Sequence, residues 1–156
     1  MANPVSVDQS RAIPVTPEDA FAAALAIPLP TLLYRRYGPF PPIKAVEGQT
    51  RWAEAGDGRT IVPAGGGSMR ETLTGVDAPR SFGYAITDIT GPMAMLVDRI
   101  DGRWTFRPQG TGTGVTWGWR LHPKSALSVP VVPVLARIWH GYARQALESL
   151  SDYLLR

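Results

Sequence analysis

Residues 135–154 have the sequence LARIWHGYARQALESLSDYL, and this stretch decides the fold. Its large apolar residues recur every three or four positions, which is the spacing of one face of an α-helix. These residues are Leu135, Ile138, Trp139, Tyr142, Ala146, Leu147, Leu150, Tyr153 and Leu154. We expect Ser128 or a neighbour to begin the helix, with Pro130 and Pro133 at its start, where a missing N–H donor is harmless. A helix with one apolar face must bury that face against a second apolar surface.

The residues between 45 and 121 supply that second surface. Segments of alternating or β-rich character are separated by turns rich in glycine, proline and aspartate, which predicts a series of strands. The predicted strands are 45–54, 59–63, 68–75, 81–88, 94–107 and 113–121. Their connections are short, so neighbouring strands must be antiparallel, because parallel neighbours need a crossover of about a dozen residues or more.

The residues before this region predict a first strand and two short helices. Residues 5–13 alternate as a strand does, and Thr16-Pro17-Glu18-Asp19 is typical of a helix start, with an N-cap, a proline at the first position and acids in the first turn. A second helical piece is expected over 30–35. The sequence therefore predicts one α+β domain over 1–156: a helix-grip fold in which a seven-stranded curved antiparallel sheet surrounds a long C-terminal α-helix.

Composition excludes several classes of function. The chain has no cysteine, which rules out disulfides, thiolate metal sites and cysteine nucleophiles. The net charge is +3, but the basic residues are scattered and only Arg35 and Arg36 are adjacent, so we expect no nucleic-acid binding. His122 and His140 lie far apart and predict no metal site, and no cofactor is expected. No apolar run reaches the ~18 residues of a spanning helix, which predicts a cytoplasmic protein without stable membrane insertion.

The inward faces of the strands carry most of the aromatic residues. Tryptophan and tyrosine have polar tips that are costly in a sealed core, so a group of them on one concave face suits the wall of a ligand pocket. Strand alternation and the helix stripe together predict a cavity lined by Leu33, Trp52, Met69, Glu71, Phe82, Tyr84, Ile86, Leu96, Trp104, Phe106, Trp117, Trp119, Ile138, Trp139 and Tyr142.

Acidic residues also fall on the predicted inward faces, namely Glu54, Glu71, Asp88 and Asp98, of which Glu54 and Asp88 lie at strand ends, where we expect them to be solvated. Glu71 lies in mid-strand, where a buried carboxylate needs a partner or a raised pKa. Arg59 on the preceding strand is one candidate partner across the hairpin; a ligand hydroxyl is another, and Glu71 could also act as a general base. Any catalysis would draw on Glu71, Asp98 and Tyr84.

Several short stretches resemble the SRPBCC superfamily, also called START-like or Bet v 1-like, in its bacterial polyketide cyclase/dehydrase branch. The stretches are 10–21 (SRAIPVTPEDAF), Glu71-Thr72-Leu73, Asp77-Ala78-Pro79, 104–108 (WTFRP), 112–117 (GTGVTW) and the C-terminal helix. The resemblance implies a deep hydrophobic cavity under the C-terminal helix, of the kind used for lipids, sterols, polyketides or hormones. It implies no catalytic motif, because members include cyclases, aromatases and carriers.

These observations lead to one preferred function and two alternatives. The preferred one is the binding or carrying of a hydrophobic small molecule, lipid or polyketide, by a monomer or weak homodimer. The first alternative is a polyketide cyclase or aromatase, in which Glu71 or Asp98 acts with Tyr84; the residues do not decide whether the protein is an enzyme. The second alternative is a regulatory protein that docks a partner through the apolar loop 34–43.

Overall fold

The computed structural model describes residues 3–48 and 51–156. Its elements in chain order are β1 (Val5–Ile13), α1 (Pro17–Ala26), α2 (Leu29–Leu32), β2 (Ile43–Glu47), β3 (Gly58–Pro63), β4 (Met69–Asp77), β5 (Ser81–Thr87), a 3₁₀ helix (Pro92–Met95), β6 (Val97–Gln109), β7 (Gly112–Pro123) and α3 (Val132–Leu154). The predicted architecture is confirmed: strand, two short helices, six strands and a long helix.

All strands belong to one antiparallel sheet with the order β1-β7-β6-β5-β4-β3-β2. The pairing shifts register at three places, near residues 43–45, 73–75 and 97–99. Such irregularities bend a strand and increase its twist. The bent sheet has one concave face, which receives the helices.

Helix α3 lies across the concave side and packs on β1 and β7. Its fully buried residues include Trp139, Leu147 and Leu150. The helix begins at Val132, later than predicted, because the hydroxyl of Ser128 instead closes a turn with the backbone N–H and C=O of Ser125. Within the described part of the chain, no helix combines the length and apolar character needed to cross a bilayer.

Helix α1 closes one end of the concave face. The hydroxyl of Thr16 accepts the N–H of Asp19 at 3.1 Å, so the predicted N-cap is confirmed. Phe21 on the buried side of α1 meets the rings of Phe82 and Phe106 edge-on, at centroid distances of 5.6 and 5.5 Å. This end of the sheet is therefore filled by side chains, and the free volume lies further along the concave face.

The second predicted strand is shorter than expected. The sequence predicts it over 45–54, whereas β2 ends at Glu47; residues 49–50 lie outside the described residues. Residues 53–57 form a turn because the Asp57 carboxylate accepts the backbone N–H groups of Ala53 and Glu54, each at 2.9 Å. The second short helix also differs, spanning Leu29–Leu32 rather than 30–35.

The strand predicted over 94–107 begins three residues late. Gly91 has a φ of 88° and Pro92 starts a 3₁₀ helix, so the chain turns before β6 can begin at Val97. The register then shifts between Val97 and Arg99, which turns Val97 into the core and leaves Asp98 on the surface. The prediction that Asp98 faces inward is therefore wrong.

Candidate functional site

A cavity of about 250 Å³ lies between the concave face of the sheet, α2 and the segment 33–43. Strands β3 to β7 contribute its floor, and Tyr142 of α3 contributes to the opposite wall. Of the side chains predicted to line a cavity, the structure places the following on this wall: Leu33, Trp52, Met69, Glu71, Phe82, Tyr84, Ile86, Trp104, Trp117, Trp119 and Tyr142.

Two strand-side residues of the predicted wall lie elsewhere. Leu96 caps the 3₁₀ helix, and its carbonyl accepts the N–H of Lys124 at 2.9 Å. Phe106 is buried beyond the end of the cavity, where Phe21 of α1 covers it. Alternation assigns Phe106 to the correct side of the sheet, but only tertiary packing decides how far the free volume extends.

Two helix residues are also absent from the wall. Trp139 is fully buried between α3 and β7, with its ring centroid 4.9 Å from that of Trp117 and 5.0 Å from that of Trp119. It therefore supports the cavity floor without lining the cavity. Ile138 is half-buried and packs against the backbone at Gly38, which has a φ of 56°.

The floor is built around a tyrosine that crosses the sheet. Tyr84 extends from β5 over Gly102 of β6, where any side chain would overlap the phenol ring. Its hydroxyl thereby reaches β7 and accepts the indole N–H groups of Trp117 and Trp119, at 2.8 and 2.9 Å. Burial raises the pKa of Tyr84 strongly, and the negative charge of Glu71 raises it further. The phenol is therefore held neutral.

A buried ion pair lies at the β3–β4 side of the cavity. Arg59 and Glu71 are direct cross-strand partners, and the Arg59 Nε donates to Glu71 Oε1 at 2.6 Å. The ring of Trp52 covers the guanidinium, whose carbon lies 3.8 Å from the ring centroid. Burial raises the pKa of Glu71, and attraction to Arg59 opposes that rise. The pair ties two strands together and presents little net charge to the cavity.

The three catalytic candidates do not form one group. Asp98 lies outside the cavity, with a largely exposed side chain 3.6 Å from the Lys124 ammonium. Glu71 is engaged by Arg59, and both hydroxyl lone pairs of Tyr84 are engaged by indoles. None of these side chains is an uncommitted base facing a substrate.

The cavity roof was not predicted. In segment 33–43, Phe40 is buried and stacks on Tyr142 at 5.1 Å, and the Tyr142 hydroxyl donates to the carbonyl of Pro41 at 2.8 Å. Tyr37 packs where Gly141 of α3 has no side chain. The loop treated above as an exposed docking surface therefore turns its Phe40 inward, and that residue is not available to a partner.

Exposed residues on the cavity wall mark where it reaches the surface. They come from the roof, from the turn after β3 and from the start of the 3₁₀ helix with the residues just before it: Arg36, Pro39, Gly65, Gly66, Thr90 and Pro92. The sequence signal for the last two groups is their glycine and proline content, which indicates turns but does not indicate that the turns converge. The rim could not be read from periodicity, because turns have none.

Both histidines have partners outside the cavity. His122 Nε2 lies 2.8 Å from Asp101 Oδ2, and His140 Nδ1 lies 3.3 Å from Gln9 Nε2. Over residues 3–48 and 51–156, no three potential metal-ligating side chains come together.

Known structures share this architecture at low sequence identity. The crystal structure of Ara h 8.0201 is 16% identical, covers 97% of this chain and 98% of its own, and superposes with a TM-score of 0.68. TTHA0849 from Thermus thermophilus is 18% identical with 97% coverage of both chains and a TM-score of 0.70. A protein from Nitrosospira multiformis is 15% identical with 96% coverage of both and a TM-score of 0.66. These likenesses establish the Bet v 1-like fold.

No curated protein matches the chain by sequence. A family model described as polyketide cyclase / dehydrase and lipid transport matches residues 4–154, which includes every element of the sheet and all three α-helices. The cavity differs in place from the prediction, because α2 and segment 33–43 cover it and α3 contributes only Tyr142 to the described wall; the fold, the apolar cavity on the concave face and this match nevertheless agree. The chain belongs to the polyketide cyclase/dehydrase and lipid transport family of the Bet v 1-like, or SRPBCC, superfamily.

Proposed function

We propose that the chain binds and carries a hydrophobic small molecule, such as a lipid or a polyketide, in the cavity between the sheet and segment 33–43. The observation that supports this proposal is the composition of the wall. Its deep part is aromatic and aliphatic, with Trp104, Phe82, Ile86 and Leu33 among its members. Ligand pockets are typically lined in this way, with a few polar groups for orientation.

An empty cavity of this volume would lower the stability of the folded protein. A dry void of about 250 Å³ would cost on the order of 6 kcal/mol at ~24 cal/mol per Å³. Domains of this size are stable by only about 5–15 kcal/mol. Buried water needs two to four polar partners, which most of this wall does not provide. An apolar occupant therefore relieves a penalty that water relieves only in part.

The volume also limits the occupant. Pockets for drug-sized ligands span roughly 300–1,000 Å³, so the volume of this cavity, about 250 Å³, lies just below that range. It suits a few fused rings or a short chain, and a longer molecule would have to extend past the rim at Arg36 and Thr90.

Native mass spectrometry of the purified protein, followed by solvent extraction, tests the proposal. A matched pair of variants on β3 locates any binding. Ile61→Trp places an indole into the cavity wall, whereas Val62→Trp places one on the opposite face of the same strand. We expect a discrete apolar adduct on the parent and on Val62→Trp, and its loss from Ile61→Trp.

Thermal denaturation of all three proteins provides the control for folding. An adduct retained by a folded Ile61→Trp would show that the molecule binds elsewhere. The proposal would be contradicted if the parent protein carried no adduct and if Ile61→Trp did not reduce the binding of an apolar fluorescent probe.

A further inference from the structure

We propose that the ligand of this cavity is a neutral molecule with a carbonyl-type oxygen, and that this oxygen accepts the hydroxyl proton of Tyr84. The inference rests on the proposed function and specifies the class of ligand. It follows from how Tyr84, Trp117 and Trp119 are bonded to one another.

The hydroxyl of Tyr84 can act toward a ligand only as a donor. A phenol has one O–H and two acceptor lone pairs. Two indole N–H groups, which can only donate, occupy those lone pairs at 2.8 and 2.9 Å. No acceptor among residues 3–48 and 51–156 receives the remaining proton. Tyr84 is 4% exposed and lines the cavity. The hydroxyl proton therefore needs a hydrogen-bond acceptor on the molecule that occupies the cavity.

The second buried tyrosine of the wall shows the contrast. Tyr142 is equally buried and lines the same cavity, but its hydroxyl donates to the carbonyl of Pro41 at 2.8 Å. Its proton is therefore committed to holding the roof. Of these two phenols, only Tyr84 keeps its donor for a ligand.

The charges around the cavity favour a neutral molecule. Arg59 and Glu71 compensate each other at 2.6 Å, and the other cation that the described residues place on the wall, Arg36, lies at the exposed rim. An ionised ligand placed beside Tyr84 would add a buried charge without a counter-ion, which is strongly unfavourable. A ketone, quinone, ester or amide oxygen meets the donor without that cost.

The discriminating experiment compares fluorene and 9-fluorenone, tricyclic probes of nearly equal shape that differ in a CH₂ and a C=O group. Tyr84→Phe is unsuitable as the main test, because it would release two indole donors at the same place. Instead, Tyr84 is replaced by a ring-fluorinated tyrosine, which keeps the hydroxyl and makes it a stronger donor. The same replacement at Tyr142 is the matched control.

We expect the infrared carbonyl stretch of bound fluorenone to move to lower frequency with fluorotyrosine at position 84 and to stay unchanged with fluorotyrosine at position 142. The ratio of the fluorene Kd to the fluorenone Kd, measured by quenching of tryptophan emission, should rise only for position 84. In the parent, a ligand that leaves the Tyr84 proton unpaired forfeits roughly tenfold in affinity.

The outcomes separate the two proposals. Suppose that the two probes compete for binding and that Ile61→Trp binds neither. If the carbonyl stretching frequency of bound fluorenone is then unchanged by fluorotyrosine at position 84, the carbonyl inference is wrong and the carrier proposal stands. If neither probe binds in a manner that depends on Ile61, the carrier proposal itself fails.

Discussion

Breaking the buried pair between Arg59 and Glu71 is expected to be far more damaging than removing it altogether. The side chains of Arg59 and Glu71 are 8% and 5% exposed, and their closest atoms are 2.6 Å apart. With charge centres about 4 Å apart and an effective dielectric constant of about 20, the attraction is on the order of 4 kcal/mol. Removing one member leaves a desolvated charge without its main counter-ion, so Arg59→Met and Glu71→Leu should each lower the free energy of unfolding by about 3–5 kcal/mol.

The double variant should recover most of that loss. With both charges gone, the double variant loses the stacking of Arg59 on Trp52, which is worth at most about 2 kcal/mol, and the other contacts of the Arg59 side chain. Urea denaturation of the four proteins gives the coupling energy from the midpoints and slopes. The exposed pair Arg80–Asp77 is the matched control, and Arg80→Met there should leave the free energy of unfolding almost unchanged, because solvent screens that pair.

Single variants that cost less than about 1 kcal/mol and add up in the double variant would refute this reasoning, since that result is typical of a solvated pair. It would mean that water in the cavity screens Glu71 effectively. The same measurement repeated with a bound apolar probe then shows whether the coupling grows when water is displaced, as the lower dielectric constant requires.

Other contacts in the structure lead to three further predictions. Gly102→Ala should lower the free energy of unfolding by about 1–3 kcal/mol and weaken fluorenone binding, because a methyl group there overlaps the ring of Tyr84; an unchanged melting temperature would contradict this packing. Burial raises the pKa of Asp101, but hydrogen bonds led by that from His122 lower it more, so its folded pKa lies below the ordinary 3.8. The carboxylate therefore stabilises the fold above pH 3.8, and the stability gap between the parent and Asp101→Asn should close as acid titrations pass below that pH; a constant gap would show that the shift is absent. Phe40→Ala should cost about 3–5 kcal/mol in denaturant unfolding, because this ring is a buried part of the roof; a cost under about 1 kcal/mol would indicate an exposed loop.

Most of the fold could be predicted because its signals are periodic. The stripe of α3 and the alternation of β4, β5 and β7 extend over several turns or residues, and each periodicity matches a buried face. The prediction of strand bounds failed where a single residue turns the chain inside a stretch that otherwise has the pattern of a strand. The Asp57 carboxylate closes a turn inside the predicted second strand, and Gly91 with Pro92 forces the chain to turn before β6.

The site could be predicted only in part, for a related physical reason. Strand alternation places Tyr84, Trp117 and Glu71 on the concave face, where the cavity lies. The roof depends on contacts between residues about a hundred positions apart, such as Tyr37 with Gly141, and an irregular loop carries no period that would show which side faces inward. The same limit applies to Asp98, because a register shift of one residue exchanges the two faces of a strand.

The contacts that hold the polar groups in place also limit the chemistry this cavity could perform. A general base needs a free lone pair and a pKa near the working pH. Tyr84 has neither, since two indoles occupy its oxygen and burial raises its pKa, while the Oε1 atom of Glu71 already accepts a hydrogen bond from Arg59. A neutral phenol donor can still polarise a carbonyl oxygen. With the carbonyl ligand proposed above, a reaction in this cavity would therefore begin with the carbonyl oxygen polarised by the Tyr84 hydroxyl.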